Sequence, residues 1–335
     1  MSGSVMKTEM KNRMRLELRG AVQGVGFRPF VYQLATGMGL TGWVRNTGRG
    51  VVIEVEGRRA LLEDFSNRLK SEKPDAAHIL DMARTPLHSV HDDRFEILHS
   101  DAEPDPSVWV SPDLAACAQC RAEMMNPADR RYRYPFINCT QCGPRYSIMT
   151  SLPYDRPRTS MRLFVMCDLC REEYENPEDR RFHAQPNACP RCGPHVEYWT
   201  TEGRRVASHA RALEEAVQAL RNRRIIAVKG LGGFHLMADA RDEAAIRRLR
   251  DLKQRGDKPL ALMFPSLESV KEVCEVSAVE EKLLSSPQAP IVLLQKKSRA
   301  AALPDNLAPR QRTLGVMLPY TPLHHLIMKE LGFPA

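Results

Sequence analysis

Apolar Met14, Leu16 and Leu18 alternate with charged Arg15, Glu17 and Arg19, the period-two pattern of a half-buried strand. The period then changes. Phe30, Val31, Leu34, Ala35 and Met38 recur at helical spacing behind Pro29, whose missing N–H costs nothing in a first helical turn. Gly37 and Gly39 mark the stop. Residues 41–47 and 50–56 read as a hairpin turning at Thr47-Gly48-Arg49-Gly50. A second helix runs from about Leu61 to Leu69 with Leu62, Phe65 and Leu69 inward, and weaker strands lie near 78–84 and 94–98. The order βαββαβ predicts a ferredoxin-like split βαβ sandwich.

Periodicity is lost over residues 100–113, "SDAEPDPSVWVSPD", which reads as a linker rich in Pro and Asp. It returns late in the chain. Ala210, Leu213, Ala216, Val217 and Leu220 have helical spacing, Ile225 to Val228 read as a buried strand, and a helix runs from about Glu243 to Leu252. Leu260 to Phe264 is strand-like, a helix lies near 267–275, and strands lie near 290–295 and 314–318. Strands alternating with helices predict an α/β domain. His324 and His325 are adjacent on the last helical stretch and are expected at the surface.

Between these periodic regions lie eight of the nine cysteines, in four Cys-x-x-Cys pairs: Cys117/Cys120, Cys139/Cys142, Cys167/Cys170 and Cys189/Cys192. The second half repeats the first fifty residues later, and "NPADRRYRYPFINCTQCGP" is answered by "NPEDRRFHAQPNACPRCGP". Eighteen residues separate the pairs in each half, the spacing of a four-thiolate zinc site. The reading is two zinc ions, purely structural because no ligand position is left for water. The spacing allows each half to close on its own ion or to exchange pairs with the other; local closure is expected, because each unit carries four ligands and the intervening loop is short. His183 and His195 are then surplus. The arginines of "DRRYRYP" and "DRRFHAQP" are expected to be solvated or to sit on a neighbouring domain. Cys274, the odd cysteine, has apolar neighbours and reads as a core thiol.

With 335 residues the chain suits two or three domains, and no apolar run approaches a transmembrane length. A net charge of +8 points to an anionic partner, while 6% aromatics argue mildly against a single-strand stacking platform. No signal peptide precedes the cysteines, so a reducing, cytoplasmic setting is expected.

Two stretches add chemistry. Gln23-Gly24-Val25-Gly26-Phe27-Arg28 joins the first strand to the first helix. Its glycines let successive N–H groups point inward at a helix N-terminus, and Arg28 adds a full charge, which makes an anion cradle. Lys253, Arg255 and Lys258 cluster just before a strand, and "KGLGGFHL" is a glycine-rich turn. Alone, the first would be a solvated face and the second a plain turn.

Over residues 13–99, "GAVQGVGFR" followed by "GWVRN" resembles the acylphosphatase family. The resemblance implies that Arg28 holds a phosphate and Asn46 positions the attacking water. The stretch "KGLGGFHLMADA…LKQRGDKPLALM…LGVMLPYTPLHHL" resembles the YrdC-like nucleotide-binding domain. It implies phosphate contacts for Lys253, Arg255 and Lys258, and a substrate pocket bordered by Gly232, Gly233 and His235. The fold class is therefore α+β multidomain: an acylphosphatase-like domain at 13–99, the linker, a duplicated zinc region at 114–200 and a YrdC-like domain at 205–335.

That order of modules resembles the HypF family of carbamoyltransferases, which serve nickel–iron hydrogenase maturation. The resemblance implies that carbamoyl phosphate is hydrolysed at the first domain and that carbamate is joined to AMP from ATP, with Mg²⁺, at the YrdC-like domain. A further domain passes the carbamoyl group to the C-terminal cysteine of HypE. No membrane or nucleic-acid partner is implied. The chain stops at "KELGFPA", inside an α/β unit, so the third domain is expected to be incomplete and only the first step to be retained. Two competing readings are a zinc-ribbon nucleic-acid-binding protein and a threonylcarbamoyl-adenylate synthase of tRNA modification. The first would carry Arg28 and Asn46 without use, and the second leaves the first two modules unexplained.

Overall fold

The computed structural model describes residues 11–101, 109–297 and 303–335. The expected linker is therefore described only in part. The chain forms two compact units, one of Met1–Pro112 with Cys139–Gln141 and Ile148–Asn187, the other of Asp113–Asn138, Cys142–Ser147 and Ala188–Ala335.

The first unit begins with β1 (Asn12–Ala21), α1 (Phe27–Gly37), β2 (Thr41–Thr47), β3 (Gly50–Gly57), α2 (Arg59–Ser71), β4 (His78–Leu87) and β5 (Phe95–Ile97). The sheet order is β4-β1-β3-β2-β5, antiparallel except for β5 alongside β2. This is the expected split βαβ order with one short edge strand added. Leu16 and Leu18 of β1 pack with Val31, Leu34, Leu62, Phe65 and Leu69 of the two helices, so the period-two and period-3.6 faces meet in one core. Arg13 breaks the alternation. The register sets it opposite Glu56, and it is buried in an ion network with Glu54 at 2.8 Å, Glu56 at 3.3 Å and Asp92 at 2.5 Å.

Each cysteine repeat contributes one short helix, α3 (Ala118–Met125) or α4 (Asp168–Glu175), beginning just after the first cysteine of a pair. The loops that follow are the same at the level of single hydrogen bonds. Asp129 and Asp179 each accept from the backbone N–H two residues on, at 2.7 Å in both. Arg131 and Arg181 are buried, not solvated; Arg131 Nε donates to the Ala188 carbonyl at 2.9 Å.

The second unit continues with β6 (Glu197–Trp199), β7 (Arg205–Ser208), α5 (His209–Arg221), β8 (Ile226–Lys229), β9 (Phe234–Met237), α6 (Glu243–Leu252) and β10 (Ala261–Met263). It ends with α7 (Leu267–Val273), α8 (Ala278–Leu284), β11 (Val292–Gln295), β12 (Thr313–Met317) and α9 (Pro322–Leu331). The strand β12 is central, parallel to β10 and antiparallel to β11. The expected buried strand at Ile225–Val228 is instead half of the β8–β9 hairpin, with only Val228 buried, because a two-stranded ribbon has no second sheet to cover it. Side chains cap the helices where sequence allows: Asp242 on α6, Ser266 with Ser269 on α7, Ser277 with Glu280 on α8 and Thr321 on α9. Cys274 is fully buried, and desolvation pushes its thiol up to about 11. Among the described residues no helix is long and apolar enough to cross a membrane.

Candidate active site and four-cysteine centres

The turn between β1 and α1 is left-handed at two glycines, Gly24 (φ 72°) and Gly26 (φ 75°), and Gly26 is the N-cap of α1. A side chain would strain the backbone at both, so the glycines fix the shape of the loop. Val25 and Phe27 turn into the domain core and can offer a ligand only their backbone. Gln23 is a brace. Its Nε2 donates to the Thr47 and Gly50 carbonyls, both at 2.8 Å, and its Oε1 accepts from Tyr154 N at 3.0 Å. Through Thr47 and Gly50 it ties the turn to the β2–β3 hairpin.

Arg28, in the first turn of α1, and Asn46, near the end of β2, are both buried and meet here. One end of the Asn46 amide lies 3.2 Å from both Nε and Nη2 of Arg28. With Oδ1 at that end, Asn46 accepts two charge-assisted hydrogen bonds. The opposite orientation, which donates Nδ2 to the Tyr154 carbonyl at 3.3 Å, would set amide protons against a guanidinium. Arg28 Nη2 also donates to the Tyr154 carbonyl at 3.3 Å and forms an ion pair with Asp155 at 2.7 Å. Nη1 donates to Ser100 Oγ at 3.3 Å.

Tyr154 and Asp155 belong to the segment after the first cysteine repeat, and sequence reasoning missed them. "PYDRP" has no spacing that links it to a turn more than a hundred residues earlier. The same segment is held by Arg156, which donates to the carbonyls of Gln185, Asn187 and Phe164 at 2.7, 2.9 and 2.7 Å. Behind it Tyr174 bonds Gln185 and packs against His183, with ring centroids 5.0 Å apart and the planes tilted by 41°. Burial, reinforced by the Arg28 charge, lowers His183 to about 4, so its imidazole is neutral at pH 7.

The eight paired cysteines form two clusters. Cys117, Cys120, Cys139 and Cys142 are one, and Cys167, Cys170, Cys189 and Cys192 the other, with all four sulfurs of each within 4.8 Å of one another. Each repeat closes on itself. Cys120 and Cys142 Sγ are 3.5 Å apart, and Cys189 and Cys192 Sγ 3.8 Å. A tetrahedral ion at about 2.3 Å from each thiolate requires sulfurs roughly 3.8 Å apart, so both clusters fit zinc in number, chemistry and spacing. Neither His183 nor His195 belongs to a cluster.

In the second unit His235, Lys253 and Arg255 line one cavity of about 280 Å³ with the strands β9 and β10. Lys258, Gly232 and Gly233 do not line it. Arg255 reaches back to the carbonyls of Lys258 and Pro259, at 3.2 and 2.7 Å. His324 is completely buried, contrary to the surface position expected from sequence, because the apolar face of α9 turns it inward beside Leu326, Ile327 and Met328. Its ring lies 5.0 Å from that of His235 and 4.8 Å from that of Tyr320, whose hydroxyl meets His235 Nε2 at 3.1 Å. Burial lowers His324 to about 3.

Known proteins resemble the chain in the same three parts. Residues 14–97 match the family described as Acylphosphatase, 116–149 and 166–199 the HypF finger, and 218–335 the Sua5, YciO and YrdC family described as "Telomere recombination". The carbamoyltransferase HypF of Synechocystis sp. is 50% identical over 327 residues, which are 97% of this chain and 42% of that protein. A crystal structure of full-length HypF in a phosphate- and nucleotide-bound form superposes with a TM-score of 0.91 at 42% identity, covering 98% of this chain and 43% of that one. The acylphosphatase of Syntrophotalea carbinolica is 46% identical over 63 residues, 18% of this chain and 68% of the enzyme. The chain thus spans about two fifths of the length of the HypF relatives it matches. Matches at 40 to 50% identity over nearly the whole chain favour neither the nucleic-acid-binding nor the tRNA-modification reading.

Proposed function

The chain belongs to the HypF family of carbamoyltransferases, and on that premise we propose that its first domain hydrolyses carbamoyl phosphate to carbamate and phosphate. The observation that carries the reading is the meeting of Arg28 and Asn46 at the glycine turn. Arg28 is proposed to hold the phosphoryl group by charge-assisted hydrogen bonds, with the backbone of Gln23 to Phe27 around it. Asn46, already oriented by Arg28, directs a water at phosphorus. The water oxygen bonds to phosphorus as the bond to the carbamate oxygen breaks. Positioning and charge stabilisation suffice for this step, so no general base is assigned.

Zinc is proposed at the eight clustered cysteines as a structural cross-link, with no part in the chemistry. Clustered thiolates need a reducing compartment, which supports a cytoplasmic setting. The cavity holding His235, Lys253 and Arg255 is proposed to take ATP with Mg²⁺, and in the longer relatives' setting the carbamoyl group passes through an adenylate to the C-terminal cysteine of HypE. The basic pair there would meet the nucleotide phosphates.

Continuous measurement of phosphate released from carbamoyl phosphate by the purified chain tests the proposal. Turnover well above the uncatalysed rate is expected. Its absence, in protein with full zinc content, would overturn it.

A further inference from the structure

The βαββαβ domain supplies a phosphate cradle, yet its turn, Arg28 and Asn46 read only the phosphoryl end of a substrate. What faces them comes from elsewhere in the same unit. Asp155 Oδ1 sits 2.7 Å from Arg28 Nη2, and the Tyr154 carbonyl accepts from that nitrogen at 3.3 Å. A carboxylate beside a phosphate-binding arginine works against phosphate binding, since it repels the anion and competes for its partner. The arrangement is nonetheless heavily built. Tyr154 N is fixed by Gln23, and Arg156 anchors the next residue through three backbone carbonyls. Both groups are acceptors, and both are aimed at the cradle.

Carbamoyl phosphate and acetyl phosphate have nearly the same size and charge. They differ where an NH₂ replaces a CH₃, and only an acceptor distinguishes the two. We propose that Asp155, with the Tyr154 carbonyl beside it, is the specificity-determining group of this site: it accepts a hydrogen bond from the carbamoyl amino group and selects carbamoyl over acetyl phosphate. The proposal rests on the hydrolase reading above and names which acyl phosphate that site prefers. The neighbouring side chains leave the acceptor role to Asp155. The His183 ring is packed on Tyr174 and Phe182, Tyr174 is occupied with Gln185, and Arg28 is a donor only. An acetyl group would leave the carboxylate facing a methyl, a loss that polar sites use to reject isosteres.

The test compares kcat/KM for carbamoyl and acetyl phosphate in the zinc-loaded wild-type chain, in Asp155→Ala and in Asp155→Asn. The wild type is expected to favour carbamoyl phosphate by on the order of 10- to 100-fold, the worth of one hydrogen bond to a charged group. Asp155→Ala should bring the ratio near one, with kcat/KM for carbamoyl phosphate lowered more than that for acetyl phosphate. Asp155→Asn, which retains a neutral acceptor oxygen, should fall between. Should the alanine variant lose zinc or its circular dichroism signal, the asparagine variant carries the comparison. An unchanged ratio in folded Asp155→Ala, equal loss of both substrates, or a wild type without preference would each overturn the inference. Failure of the wild type to hydrolyse either substrate would overturn the hydrolase reading itself, and this inference with it.

Discussion

Arg28 is buried yet donates to three separate partners besides Asn46, so its removal should empty the cradle without opening the core. Arg28→Ala is expected to lower carbamoyl phosphate hydrolysis by about 10²-fold or more, the scale for a donor acting in the transition state. Asn46→Ala should reduce kcat more than it weakens inhibition by inorganic phosphate, because Asn46 is assigned to the water. Steady-state kinetics with phosphate as inhibitor checks both. His324 makes a different prediction. Its folded pKa is about 3, below the unfolded value near 6.5, so folding excludes a proton that the unfolded chain binds. Its stabilising share is complete above pH 6.5 and is lost as pH falls toward 3, by roughly 1.4 kcal/mol per pH unit. Among the described residues neither ring nitrogen has a hydrogen-bond partner, so His324→Leu sacrifices none. Urea midpoints at pH 7.5 and 5.5 should fall less in His324→Leu than in wild type. Sequence pointed to Arg28 through the glycine turn and to Asn46 only through the acylphosphatase resemblance, whereas the burial of His324 depends on which face of α9 meets the core, which no local pattern states.

At the scale of elements, the first three strands and the two helices of the first domain were legible from their periods and stop signals, whereas β4, exposed along most of its length, and β5, three residues long, gave weaker patterns. Arg13 departed from the pattern of β1. It lies on the face opposite Leu16 and Leu18, a face covered by the side chains of Glu54 and Glu56, so a charged residue is buried where alternation places solvent. Arg13→Ala would strand fully buried Glu56 beside Glu54 and Asp92, and a loss of about 3–5 kcal/mol is expected by chemical denaturation. The cysteine segments show no period because they are built of short turns around two four-cysteine clusters that fit a metal. Their helices are eight residues long, too short to be stable alone. Zinc analysis should find two ions per chain. Chelation should expose the amides of both repeats to hydrogen exchange and leave those of β1 and β3 protected, since structural zinc contributes roughly 10–16 kcal/mol in metal-folded units while the first sheet has its own core.

At the scale of the whole molecule, the cavity beside β9 and β10 gathers Lys253 and Arg255 from one loop and His235 from another strand. Calorimetry should detect ATP binding in the presence of Mg²⁺, weakened about tenfold or more in the Lys253→Ala, Arg255→Ala double variant, the worth of charge-assisted phosphate contacts. Sequence indicated the basic cluster but not which of its members would line a cavity, because Lys258 and Arg255 diverge within three residues of irregular backbone. The duplication, by contrast, was plain in the letters and extends to single torsion angles. Arg133 and His183 hold one position in the two copies, at φ 55° and 53°, and each donates its N–H to the residue nine back, Met124 or Tyr174. From that shared start they have parted. Arg133 forms an ion pair with Glu330, while His183 lies uncharged on Tyr174 within the field of Arg28. Genetic exchange between the repeats would rewrite one position as the other. An arginine copied into position 183 would set a second permanent cation beside Arg28, and a histidine copied into position 133 would leave Glu330 without its guanidinium. One backbone position, repeated fifty residues apart, thus serves two unrelated electrostatic demands: a cation paired with Glu330 in the first copy, and an uncharged ring beside Arg28 in the second.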